Sequence, residues 1–121
     1  MLVDQQVAAA SSQRQGLAIH ALSDGTRVVS YEARLAAGWS KPLSQIRFVL
    51  PVPYPAAQPD CFFADSDLRL ANGAMPVNTG MQPLNGVALV WFSWHLTAWS
   101  PQQDNLLTYI RFIESRLRDA R

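Results

Sequence analysis

The chain has 121 residues, 49% hydrophobic and 16% charged, with a formal net charge of +1 and a mean hydropathy close to zero. This describes one folded domain spanning 1–121, large enough to bury its own core and too apolar to be disordered. A near-neutral balance gives no electrostatic basis for binding nucleic acid or a membrane surface. The single cysteine, Cys61, excludes an internal disulfide framework and a multi-cysteine zinc site. With no basic start or apolar run at Met1-Leu-Val-Asp4, a cytoplasmic address is expected.

Val7–Ala10 followed by Ser11-Ser-Gln-Arg-Gln15 predicts a short helix with a frayed end. Leu17–Leu22 and Arg27–Leu35 read as two strands, joined by Ser23-Asp-Gly-Thr26, because Asp-Gly between apolar runs accepts the positive φ of a tight hairpin. His20 is a half-exposed strand residue without an acidic or nucleophilic neighbour. After a loop through Gly38, Gln45–Leu50 forms a third strand, and the meander is antiparallel. The prolines of Pro51-Val-Pro-Tyr-Pro55 fix φ and remove donors, so the chain leaves the sheet there. Phe62-Phe63 predicts a short fourth strand.

Residues 64–86 are glycine-dotted and weak in periodicity, which predicts a long loop; Asp65 and Asp67 are read as turn residues, not as metal ligands. Leu84–Trp99 is the most apolar window, interrupted by Asn85, Ser93 and His95, and is core instead of a membrane span. Ser100-Pro-Gln-Gln103 has a capping-box pattern, predicting a helix from about Pro101 to about Arg118 with Leu106, Ile110, Ile113 and Leu117 on its apolar stripe. Tyr109 and Phe112 are expected at the margins. Arg111, Arg116, Arg118 and Arg121, interrupted by Glu114 and Asp119, read as a solvated helix face.

Val90–Pro101 carries three of the four tryptophans and one of the two histidines. If Val90–Leu96 is extended, Phe92, Trp94 and Leu96 point one way and Trp91, Ser93 and His95 the other. Backbone positions two apart on a strand are about 6.6 Å apart, a span that a hydroxyl and an imidazole bridge.

The order Leu50-Pro-Val-Pro-Tyr-Pro55, Pro59-Asp60, Phe92-Ser-Trp-His95, Trp99-Ser-Pro101 and Asp104–Tyr109 resembles the ubiquitin-conjugating enzyme fold, and within it the prokaryotic ubiquitin-conjugating family E. The resemblance runs from about Gly38 onward. It implies an α+β domain, a small antiparallel meander sheet with a C-terminal helix packed on it, and a carrier that accepts the C-terminus of a ubiquitin-like protein from an activating enzyme and passes it to an acceptor amine. It also implies a deconjugating protease encoded beside these partners in bacterial relatives, and antiphage defence as a setting for some of them. No metal or organic cofactor is implied, because activation belongs to the separate ATP-using enzyme.

A usual member has a nucleophilic cysteine before Trp-Ser-Pro; this chain has none there. In one reading Ser93 carries the ubiquitin-like protein as an oxyester, with His95 as base or proton shuttle. Asn85 precedes Ser93 by eight residues, the interval of the oxyanion-steadying asparagine in usual members, a role worth about 3 kcal/mol when a donor is well placed. The sequence displays no third group to orient His95, and the competing reading makes Ser93 and His95 polar residues of a solvated strand. A second reading assigns the thiol to Cys61, whose neighbouring Asp60 and apolar surroundings should raise its pKa. A third makes the chain an inert scaffold that binds the ubiquitin-like protein or the activating enzyme through Trp91, Trp94 and Trp99.

Overall fold

The Asp24-Gly25 corner turns as its residues predict: Gly25 has φ +90°, Asp24 accepts from the Thr26 N–H at 2.9 Å, and Leu22 N–H closes the hairpin on Thr26 O at 2.8 Å. In the computed structural model, which describes residues 2–121, this hairpin joins β1 (Ala18–Ala21) to β2 (Arg27–Arg34). β3 (Leu43–Leu50) and β4 (Phe62–Ala64) continue the meander, and β5 (Thr79–Leu84) and β6 (Val87–Phe92) complete a six-stranded sheet in the order β1-β2-β3-β4-β6-β5. Every pairing is antiparallel. Two helices, α1 (Leu2–Ser11) and α2 (Leu106–Leu117), make this the expected α+β architecture, with more strands than the four anticipated.

Of the two extra strands, β6 lies in the apolar window and β5 lies inside the expected long loop. Asn85 (φ +49°) and Gly86 (φ +83°) form a two-residue hairpin turn that pairs Leu84 with Val87, the arrangement Asn-Gly favours. β5 escaped the pattern because it contains Gly80 and Pro83. Both are tolerated since β5 is an edge strand, where proline forfeits no ladder bond that a neighbour needs. Asp65 and Asp67 remain next to the loop, where Lys41 Nζ bridges them at 2.8 and 2.7 Å.

One sheet face supplies Val29, Tyr31, Ile46, Phe48, Phe62 and Phe92 to the core, and α2 covers it with Leu106, Tyr109, Ile110, Ile113 and Leu117. Tyr109 is central, fully buried and 5.1 Å from the Phe48 ring. α2 begins five residues later than its apparent capping box. Asp104 N–H and Gln103 N–H both turn back to Ser100 O, at 2.7 and 3.0 Å, and the Asp104 carboxylate takes the Ser100 N–H, which closes a single turn that does not propagate. The operative box is Asn105/Thr108: Asn105 Oδ1 accepts from Thr108 N–H at 3.2 Å and Thr108 Oγ1 from Asn105 N–H at 3.1 Å, with threonine in the usual Glu/Gln position.

The expected solvated arginine face is also corrected at one position. Arg116 is 1% exposed, with its guanidinium 5.2 Å from the Phe92 ring centre and 5.9 Å from those of Trp39 and Trp94. Burial draws its pKa down, and Arg121 adds to the effect.

Gly38 is confined by α2's end. Its φ is +101°, and a Cβ there would stand 2.8 Å from Ala120 Cβ. Gly38→Ala is therefore expected to cost about 2–3 kcal/mol, combining left-handed backbone and overpacking terms. Gly73→Ala, at φ +89° with open space around it, should cost only the backbone share, about 1 kcal/mol. Urea melts of the pair measure the difference.

Candidate active site

Ser93 and His95 stand just past the end of β6, where the alternation of the strand persists. Phe92 is buried and Trp94 packs against the core, stacked on Phe112 at 5.7 Å, so Ser93 between them and His95 after them turn outward. Ser93 N–H donates to Asn78 O at 2.9 Å, one step beyond the Thr79/Phe92 pair. Ser93 Oγ lies 3.1 Å from His95 Nε2.

A third group joins them from another part of the chain. His95 Nδ1 is 2.7 Å from Asp60 Oδ1. The carboxylate only accepts, so Nδ1 carries the ring proton and Nε2 is left to accept from the Ser93 hydroxyl. Asp60 is the residue that sequence reasoning missed, because its placement follows from a pairing that only the fold reveals: Pro59-Asp60 leads into Phe62, which pairs with Phe92. Extending that register brings Asp60 beside the Trp94-His95 segment.

Backbone and side-chain bonds clamp the two segments. Cys61 N–H donates to Trp94 O at 3.1 Å, Gln58 Nε2 to Leu96 O at 2.9 Å, and the buried Tyr109 hydroxyl to Cys61 O at 2.8 Å. Behind them Trp99 Nε1 donates to Pro55 O at 2.8 Å, so Trp-Ser-Pro braces the Tyr-Pro turn. His95 and Asp60 side chains are 59% and 61% exposed, open to solvent.

The remaining expected site residue, Asn85, separates from this cluster, whereas Cys61 borders it. Asn85 sits in the β5–β6 turn, at the opposite end of β6 from Ser93, on the order of 20 Å away along the strand. It borders a shallow hollow on the outer sheet face with His20, Val28, Arg47 and Val87. Counting an interval along the chain placed it beside Ser93; the hairpin carries it away. Cys61 is only 6% exposed, and burial pushes its thiol pKa up, reinforced by the Asp60 charge against the opposing influence of the Trp94 backbone and the Trp91 side chain. Its Sγ lies 3.9 Å from His95 Nδ1, on the nitrogen that faces Asp60 and not on the one that faces Ser93.

The family model described as prokaryotic E2 family E matches residues 8–120. The chain belongs to prokaryotic E2 family E. Membership in this family of ubiquitin-conjugating-enzyme-like proteins makes the chain a carrier or scaffold of a ubiquitin-like conjugation pathway, working in general with an activating enzyme and a ubiquitin-like protein. No curated protein and no solved structure matches it. Among the described residues no helix is long and apolar enough to cross a membrane.

Proposed function

We propose that this family E protein is a carrier enzyme that accepts a ubiquitin-like protein on Ser93 as an oxyester. The observation that supports it is the continuous relay Ser93–His95–Asp60, at 3.1 and 2.7 Å, exposed just past the C-terminal end of β6. A serine hydroxyl is a weak nucleophile at neutral pH and needs an adjacent base held by a third group. His95 is that base and Asp60 its orienting partner.

In the proposed step the Ser93 oxygen attacks the carbonyl carbon of the thioester linking the ubiquitin-like C-terminus to the activating enzyme. The hydroxyl proton passes to His95 Nε2, and Asp60 stabilises the imidazolium through Nδ1–H. Collapse of the tetrahedral intermediate breaks the C–S bond, and the departing thiolate takes the proton from Nε2. The Ser93 ester and the enzyme thiol result. An acceptor amine then attacks the ester carbonyl, and Ser93 leaves as its alcohol, reprotonated through the same imidazole.

The test is intact-mass analysis after mixing the chain with its cognate activating enzyme, ubiquitin-like protein and ATP. The expected adduct survives reducing agent, is cleaved by mild base and is absent in Ser93→Ala. Asp60→Asn is expected to slow charging by about 10- to 100-fold. This is less than the roughly 10,000-fold loss known for a buried triad carboxylate, because water around Asp60, 61% exposed, partly replaces it.

That same exposure favours a second reading, an inert scaffold whose Trp91, Trp94 and Trp99 serve packing and partner contact. A stable complex with the ubiquitin-like protein or activating enzyme, unchanged by Ser93→Ala and lacking any covalent adduct, would select it.

A further inference from the structure

Cys61 takes no part in the Ser93 relay, yet its thiol faces the imidazole at the centre of it. Sγ is 3.9 Å from His95 Nδ1 and Asp60 Oδ1 is 2.7 Å from that same nitrogen. One donor atom from each of Asp60, Cys61 and His95 lies within 4.8 Å of the other two. In a tetrahedral zinc complex, with metal–sulfur about 2.3 Å and metal–nitrogen or –oxygen about 2.0–2.2 Å, neighbouring ligand atoms stand about 3.3–3.6 Å apart. Relative to Nδ1 the thiol would close in by a few tenths of an ångström and the carboxylate withdraw by roughly half of one, while thiol and carboxylate, within 4.8 Å of each other, would approach by up to about 1 Å.

The backbone at Cys61 is held in place. Cys61 has φ +59°, a conformation that costs a non-glycine residue about 1–2 kcal/mol, and it is held from both sides by the bonds to Trp94 O and from Tyr109 Oη. Sulfur and imidazole nitrogen together select a borderline-soft ion over magnesium or calcium.

We propose that Asp60, Cys61 and His95 form a three-ligand site for one divalent transition ion of the zinc type, with a fourth position left to water, and that its occupancy excludes the Ser93 relay. On binding, the thiol releases its proton to solvent and Nδ1 gives its lone pair to the metal. The ring proton then resides on Nε2, aimed at Ser93 Oγ, and the serine has lost its acceptor. The metal site stands on the three side chains alone; its effect on charging rests on the Ser93 reading above.

Cobalt(II) titrated into the metal-free 121-residue chain is expected to give a sulfur-to-cobalt charge-transfer band in the near ultraviolet, saturating at one ion per chain and displaced by zinc. Cys61→Ser loses the band. His95→Gln and Asp60→Asn weaken cobalt at least about tenfold, since even outer-shell partners of a metal account for roughly 10- to 100-fold. No band from a chain whose circular dichroism shows it folded, or an affinity unmoved by His95→Gln, overturns the site.

In the charging reaction, zinc added after the activating enzyme has been loaded should suppress the base-labile adduct of the parent chain, with the ratio of adduct with and without zinc returning towards one in Cys61→Ser. Undiminished charging at zinc concentrations that fully displace cobalt overturns the exclusion. If no Ser93 adduct forms under any condition the carrier reading fails, and the cobalt titration decides the metal site by itself.

Discussion

Ser93→Cys is expected to be charged through a bond that reducing agent cleaves, whereas Ser93→Ala takes no ubiquitin-like protein at all. The pair would locate the acyl group on one atom, and an adduct of the parent chain that survives reducing agent would exclude Cys61 as the carrier. His95→Gln preserves a polar side chain of similar reach but removes the base, and its charging rate should fall about 100- to 10,000-fold, the usual contribution of a positioned general base. A thiol, unlike a hydroxyl, is a few per cent ionised at neutral pH and strongly nucleophilic. Adding His95→Gln to Ser93→Cys should therefore cost much less than adding it to the parent serine. That non-additivity, read from single-turnover charging of the four proteins, identifies His95 as the base of the Ser93 step; equal losses in both backgrounds would reduce His95 to a structural residue.

Arg116 is where the largest loss of stability is expected. Its guanidinium donates to three backbone carbonyls, Asp119 O at 2.8 Å, Arg121 O at 2.9 Å and Val77 O at 3.1 Å, while lying against the rings of Trp39, Phe92 and Trp94. Arg116→Met fills similar volume but strands those acceptors, each at about 1–3 kcal/mol if it stays dry, and removes the cation–π contacts. The expected cost is about 3–5 kcal/mol, a large share of the roughly 5–15 kcal/mol that a domain possesses, with a Tm lowered by about 10 °C or more. Arg116→Lys should recover part of it, because an ammonium keeps the charge but lacks the planar fork that reaches several carbonyls at once. Thermal and urea melts measure both. Val77 precedes Asn78, whose carbonyl holds the Ser93 N–H, so amide exchange at Ser93 should quicken in the methionine variant. An unmoved Ser93 amide would separate Arg116 from the site.

Local signals were legible in the residues, and long-range ones were not. Alternation about Phe92 and Trp94 predicts the outward pair Ser93 and His95 because it needs only strand geometry. The Asp-Gly corner, the first three strands and the stripe Leu106-Ile110-Ile113-Leu117 are equally local. Asp60 required knowing that β4 lies against β6, across an interval of some thirty residues in which β5 was disguised by Gly80 and Pro83. Asn85 failed for the converse reason: an interval kept from one family member to another has no fixed length in space once a hairpin intervenes. Arg116 was hidden because charge alternation along a helix does not reveal that Trp39, Phe92 and Trp94 leave a niche wide enough for a guanidinium.

The clamp between Cys61 and Trp94 has a consequence for when this protein becomes reactive. Serine and histidine are neighbours from the moment they are synthesised, but their carboxylate arrives only after the fourth strand has docked on the sixth and the tyrosine of the last helix has closed over Cys61. On the oxyester reading, a nascent or damaged copy would display a less activated alcohol and load more slowly than a finished one. Ester formation would then double as an inspection of tertiary structure, holding misassembled copies back without a separate chaperone to judge them.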